Sequence, residues 1–366
     1  MEGAEGLTSE IVHRRLVAQR ISSGALGEPG AVVAWLGAVQ AQDYRAALWA
    51  IGLRTTDARE ADVERAIADR RIVRTWPMRG TLHFVAADDA RWMTELLAPR
   101  RAAAGAGRLR ALGIDERALT RARRVLVRHL EGGRQVTRPA AYRALERARL
   151  APGEQRGLHM LWRLAQDCLI CFGPRQGKQQ TFVLFEEWLP RARRLPREEA
   201  LAELAQRYFS GHGPATLRDF AWWSGLKLAD ARLAVSLAGS RLQEEMVDGE
   251  LHWFTDLPAP RVAADDRAYA LPAFDEFLVG YTDRSAALDA AASRLVIAGG
   301  MFKPVIVAGS RILGTWKRRI GRGEVVCSIV PFAKLHQATL RAALAALERY
   351  ARFVGLDLRE GPTSPA

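Results

Sequence analysis

The sequence predicts a mainly α protein with short β-hairpins (an α+β chain), in which one helical plan recurs three times before a β-rich C-terminal domain closes the chain. Three observations carry this. Apolar residues return at helical spacing through most of the first 255 residues, and each group of helices ends in two short alternating segments around a turn. After Pro258 to Pro260 the texture changes to β-branched runs punctuated by glycine.

The first copy reads as a helix over 9–23 with Thr8 or Ser9 as cap, a second near 29–38 and a third near 58–70. It closes with "IVRTWPMRGTLHFVA", whose large alternating side chains flank a turn at Pro77 to Gly80. The second copy runs "DERALTRARRVLVRHLEGG", "VTRPAAYRALERA" and "PGEQRGLHMLWRLAQDC" into "LICFGPRQGKQQTFVLF". The third runs "REEALAELAQRYFSGHG", "ATLRDFAWWSGL" and "KLADARLAVSLAG" into "RLQEEMVDGELHWF". Three helices and a two-stranded wing make the winged-helix plan. Thr137 before Pro139 and Thr216-x-x-Asp219 read as helix starts, and Gly133 and Gly211 as helix ends. The expected division is therefore three tandem winged helices, at 8–100, 101–190 and 191–258, then a C-terminal domain at 259–366. In that last domain "GGMFKPVIVAGSRILGTWKRRIGRGEVVCSIVPF" supplies strands and "KLHQATLRAALAALERYARFVG" one packing helix.

Charge narrows the partners. Fifty-four basic against forty-one acidic side chains give a net charge of +13. Residues 91–150 alone hold fifteen arginines, among them Arg100, Arg108, Arg121 and Arg128, and only five acids. Part of this is the ordinary solvated face of an Ala/Arg-rich chain, but the excess favours a nucleic acid over an acidic metabolite. No run of eighteen apolar residues and no signal-peptide pattern occurs, so a cytoplasmic location without membrane contact is expected. Three cysteines, Cys168, Cys171 and Cys327, do not make a disulfide framework. Cys168-Leu-Ile-Cys171 has the spacing of half a zinc site with no second half, so no metal and no cofactor are expected.

Among candidate functional residues, "VQAQDYRAALWAIGLRT" stands out. Gln40 and Gln42 alternate with small apolar residues, and a buried amide is costly unless both its ends find partners. On the residues alone, they either serve chemistry or bond backbone groups at a helix end, beside Asp43 as the cap of the next segment. "TWKRRIGRGE" sets Lys317, Arg318, Arg319 and Arg322 on one turn; it reads as a hairpin that contacts DNA phosphates, the alternative being a charged edge that resists pairing. The second wing offers Arg175 and Lys178, whereas the third is acidic, with Glu244, Glu245, Asp248 and Glu250, and reads as turned away from phosphate. Arg79 and His83 alternate on the first wing as further DNA contacts, although a lone strand histidine is more often structural. Asp275, Glu276, Asp283 and Arg284 form either an acid/base cluster or an internal ion-pair network. Trp76 and Trp316 lie beside basic turns as candidate stacking surfaces, unlike Trp222 and Trp223, which read as packing.

"VQAQD", "RTWPMRGTLHFV", "LPAFDEFLVGYTDRS" and "GMFKPVIVAGSRILGTW", in that order over residues 8–355, resemble the AlkZ/YcaQ-type winged-helix DNA glycosylases. The resemblance implies excision of alkylated purines by three tandem winged helices and a C-terminal domain whose hairpin meets DNA near the lesion. Gln40-Ala41-Gln42 resembles the Gln-x-Gln motif of the AlkZ-like branch, associated with interstrand crosslinks and self-resistance to azinomycin-type agents. It implies Gln40 and Gln42 as the catalytic pair. An N7-alkylated guanine is cationic and already a good leaving group, so what remains is to stabilise an oxocarbenium-like sugar and aim a water. A neutral amide suits the aiming, not proton abstraction. Asp43 is a rival for stabilising the sugar cation. No lysine neighbours the motif, which argues for a monofunctional hydrolytic enzyme. The expected partner is double-stranded DNA bearing alkylated purines or crosslinks, met by a monomer with no protein partner. A crosslinked base is tied to both strands, so approach through a groove is expected rather than full extrusion. The competing reading is a non-catalytic winged-helix regulator or a drug-sequestering resistance protein.

Overall fold

Helix boundaries follow local chemistry where that chemistry lies within a few residues. Thr216 accepts from the Asp219 amide at 3.2 Å while Asp219 accepts from the Thr216 amide at 3.1 Å, a complete capping box for the helix Leu217–Ser224. Thr137 precedes the helix Arg138–Arg147 but makes no side-chain capping bond; Pro139 in the first turn fixes the start. The first helix runs Glu2–Ala18, so Ser9 lies inside it and not at its cap. It stops before residue 23 because Arg20 takes a left-handed φ of 59°, letting the amides of Ile21 and Ser22 turn back to the Leu16 carbonyl. Gly133, at φ 75°, follows the helix Glu116–Leu130 as expected. Gly211 instead lies within the helix Arg197–His212: it is needed because a Cβ there would sit 2.9 Å from the Trp35 carbonyl oxygen.

This computed structural model describes residues 2–256 and 267–363, with side chains from Ser9 onward. The expected junction at Pro258 to Pro260 lies outside the described residues. The chain forms two compact units, Met1–Val63 with Leu201–Ala366, and Glu64–Ala200.

In the first unit, the helix Pro29–Leu36 ends at Gly37, φ 76°, and a short strand Ala38–Gln40 leads through a bend into the helix Tyr44–Gly52. The helices Arg197–His212, Leu217–Ser224 and Leu228–Ala238 precede the antiparallel strands Gln243–Val247 and Glu250–Phe254. Beyond the junction, strands Ala268–Leu271, Val305–Ala308, Arg311–Ile320 and Glu324–Pro331 pair antiparallel in that order, and Asp357–Glu360 adds in parallel. The helix Gln337–Val354 covers this sheet with Leu347, Tyr350 and Phe353 buried. Tyr350 lies edge-on to Trp49 at 5.4 Å and to Trp316 at 5.1 Å. The indole N–H groups donate to the carbonyls of Ala270 and Leu271 at 2.8 Å, so both large rings are buried with their polar ends satisfied.

In the second unit, strands Ile72–Thr75 and His83–Ala86 pair with Thr75 opposite His83, and strands Ile170–Gln176 and Gln179–Leu184 form the other hairpin. Leu126, Leu145, Leu161, Leu164, Phe172 and Phe182 belong to one apolar core. The helix Glu116–Leu130 buries Leu119, Ala122, Leu126 and Leu130 at spacings of three and four, leaving Arg117, Arg121, Arg123, Arg124 and Arg128 on its exposed face.

Candidate functional site

The glutamine pair spans a strand end and the bend that leads into the next helix. Gln40 closes the strand Ala38–Gln40 and is buried, whereas Gln42, in the bend that follows, is exposed. The motif therefore crosses from the interior to the solvent within three residues. Asp43 then starts the next helix, accepting from the Ala46 amide at 3.1 Å through Oδ1. Its other oxygen faces the Arg318 guanidinium at 3.7 Å. Both carboxylate oxygens of Asp43 are thus engaged.

A buried carboxylate stands behind the motif. Glu276 Oε1 accepts from the Gln40 backbone amide at 3.0 Å, and Oε2 accepts from Trp223 Nε1 at 2.9 Å and lies 3.2 Å from His212 Nε2. Its neighbour Asp275 takes two hydrogen bonds from Arg54, at 2.8 and 2.9 Å, with both side chains fully buried. Arg54 also donates to the carbonyls of Gln19 and Ala50, at 2.8 Å each. The acidic pair at 275–276 is therefore part of an internal network that ties the C-terminal segment to Gln40 before the helix Tyr44–Gly52 and to Arg54 after it, one of the two alternatives the sequence left open. Asp283 and Arg284 do not join it. Asp283 accepts from the Ser285 amide at 2.8 Å, and Arg284 donates to the carbonyl of Leu278 at 2.6 Å.

The basic turn is the end of the longest hairpin, with Lys317 opposite Ser328 and Ile320 opposite Val325. Lys317, Arg319 and Arg322 are exposed. Arg318, half-buried, faces Asp43 and lies over the Tyr350 ring at 5.4 Å. The hairpin is thereby fastened beside the glutamine motif while its other cations stay in solvent. Trp316 on the same strand is 1% exposed, so it is a packing residue and offers no stacking surface; Trp76, also buried, is another. Glu245, on the strand Gln243–Val247, pairs with Arg14 of the first helix, which neutralises one acid of that hairpin.

In the second unit, His83 is fully buried. Nδ1–H donates to the Thr81 carbonyl at 3.0 Å, which leaves Nε2 to accept from the Arg79 guanidinium at 3.1 Å. Arg79, half-buried at φ 54°, is thus the outer member of the pair. Arg175 pairs with Glu64 at 2.6 Å, and Lys178 is exposed at the turn of its hairpin. Cys168 and Cys171 are buried free thiols; burial pushes Cys168 up to about 11 and Cys171 higher still. No cluster of metal-ligating side chains occurs among the described residues. No described helix is long and apolar enough to cross a membrane.

Residues 33–353 match the family described as "DNA glycosylase AlkZ-like", well over half of the chain. The chain belongs to this family. An interstrand DNA cross-link repair glycosylase of Streptomyces sahachiroi is 26% identical over 345 residues, spanning 89% of this chain and 91% of that protein. The solved structure of the S. sahachiroi DNA glycosylase AlkZ superposes with a TM-score of 0.79 at 25% identity, covering 96% of this chain and 99% of the other. Arg54 and His212, which face the two buried carboxylates, carry no role in the sequence reading, and Trp223, read there as packing alone, also donates to Glu276. One signal for Arg54 was available: it is the lone cation at the end of the apolar run "ALWAIGLRT".

Proposed function

We propose that this AlkZ-like chain hydrolyses the N-glycosidic bond of cationic N7-alkylated purines in duplex DNA, bulky adducts and interstrand crosslinks included, with water aimed by Gln40 and Gln42. The observation that carries the reading is the seating of Gln40. Its main chain is tied to a fully buried carboxylate while Gln42 opens to solvent beside a hairpin of exposed cations. Water oxygen bonds to the anomeric carbon as the C1′–N9 bond breaks; the electron pair leaves with the base, which becomes neutral, and the water's proton passes to solvent. The alkyl cation supplies the leaving-group activation, so two neutral amides suffice to orient the nucleophile. Lys317, Arg319 and Arg322 contact phosphate, with Arg318 as their anchor. Arg79, held from behind by His83, makes a second contact, and Arg175 and Lys178 a third, on a monomer framed by three winged helices. Support for the crosslink substrate comes from the relative named for that repair activity.

The test is single-turnover release of 7-methylguanine, and of a crosslinked base, by wild type, Gln40→Ala and Gln42→Ala, with DNA affinity measured at one salt concentration. Loss of release with affinity retained is the expected result. If wild type binds DNA, or sequesters the alkylating drug, and releases no base, the regulator or sequestration reading replaces this one.

A further inference from the structure

The strongest feature without an assigned role is the Glu276 carboxylate. It is fully buried, and its oxygens face three groups brought from far apart: the Gln40 amide, the Trp223 indole and the His212 imidazole. Such a group is costly to bury and is kept only where its partners are fixed. They are fixed here. His212 stacks on Tyr208 at 4.7 Å and 11°, and its Nδ1–H donates to the Tyr208 carbonyl at 3.2 Å. The Tyr208 hydroxyl donates to the Gly280 carbonyl, and the Tyr281 hydroxyl to the His212 carbonyl, each at 2.8 Å. The segment that delivers Glu276 enters through Phe274 at φ 58°, an unusual conformation for a bulky residue, held by burial of its ring.

Oε2 is thus committed to two partners on a rigid aromatic frame, which leaves Oε1 for the Gln40 amide. We infer that Glu276 is a positioning residue for glycosidic hydrolysis: through its hydrogen bond to the Gln40 main chain it sets the height and direction of the glutamine that aims the water. This rests on the reading of Gln40 as catalytic. Nothing in the role requires Glu276 to touch DNA. It acts on the rate of the bound complex, and DNA affinity belongs to the hairpin cations.

Two variants test it. Glu276→Gln keeps the shape, but its single carbonyl oxygen turns to Trp223 and His212, setting an amide donor against the Gln40 N–H. Glu276→Asp keeps the charge and shortens the reach. For each, the single-turnover rate constant at saturating enzyme on 7-methylguanine duplex is measured beside DNA affinity and thermal melting. The expected result is a rate constant lower by ~10–100-fold with affinity within about threefold of wild type. In a Gln40→Ala background, Glu276→Gln is expected to cost less than about threefold more. A folded variant at wild-type rate, a full further loss in the Gln40→Ala background, or failure of both variants to fold each overturns the assignment. Failure of the underlying reading looks different: Gln40→Ala itself then releases base at the wild-type rate.

Discussion

Removing the Asp275 side chain is the sharpest test of how the motif is supported. Arg54 and Asp275 are both fully buried and meet through two hydrogen bonds, and the Asp275 carboxylate also accepts from the Phe277 amide at 3.0 Å. Asp275→Ala leaves a guanidinium in the interior with its counter-ion gone. That situation costs about 3–5 kcal/mol, because the desolvation already incurred is no longer offset by the pair. For a folding unit of this size, about 2–4 °C of melting temperature goes with each kcal/mol, which amounts to a fall of about 6–20 °C. Urea denaturation with a shared slope gives the free energy directly. Asp289→Ala is the control, since its pair with Arg311 lies in solvent, at side-chain exposures of 66% and 46%, and such pairs contribute about 0–1 kcal/mol. A combined Arg54→Met/Asp275→Leu protein should lose less than the sum of the single changes by more than about 1 kcal/mol, because no lone charge remains. An Asp275→Ala protein within about 1 kcal/mol of wild type would refute the reasoning.

Two further outcomes follow from the same geometry. Replacing Lys317, Arg319 and Arg322 together with alanine should flatten the dependence of log affinity on log salt by about 2.7, roughly 0.9 for each phosphate no longer neutralised; an unchanged slope would remove the hairpin from the DNA interface. Burial pushes the Cys168 and Cys327 thiols up to about 11. Because the folded value lies above the unfolded one, near 8.5, stability is full below about pH 8.5 and is lost as pH rises through about 11. The urea midpoint should fall over that range, and the native thiols should resist a small disulfide reagent at about pH 8. Rapid native reaction of all three cysteines would contradict it.

What the sequence made legible tracks the distance between partners. Asp43 as a cap and the Thr216–Asp219 box were readable because donor and acceptor lie three residues apart. The helix end at Arg20 was not, since a left-handed arginine carries no compositional mark. Gly211 looked like a terminator because glycine favours positive φ, but here it clears space for a carbonyl from a distant helix. Trp316 was misleading for a related reason: lying beside exposed cations on a strand says little about a side chain that alternates to the buried face. The acidic pair at 275–276 was noticed, and the glutamines too. Their connection was invisible, because a single sequence holds no record of which residues 236 positions apart will meet.

That separation matters while the chain is being made. At roughly 5–20 residues per second, about 10–50 s pass between the emergence of Gln40 and that of Glu276. Throughout that interval a nascent chain displays the glutamine motif without the carboxylate that bonds its main chain, while His212 and Trp223, the partners of that carboxylate, emerge before it does. The residues 64–200 that lie between can complete their own core meanwhile, since none of its members awaits the C-terminal segment. A chain that stops short of residue 275 therefore carries the glutamine motif without the carboxylate that bonds the Gln40 main chain.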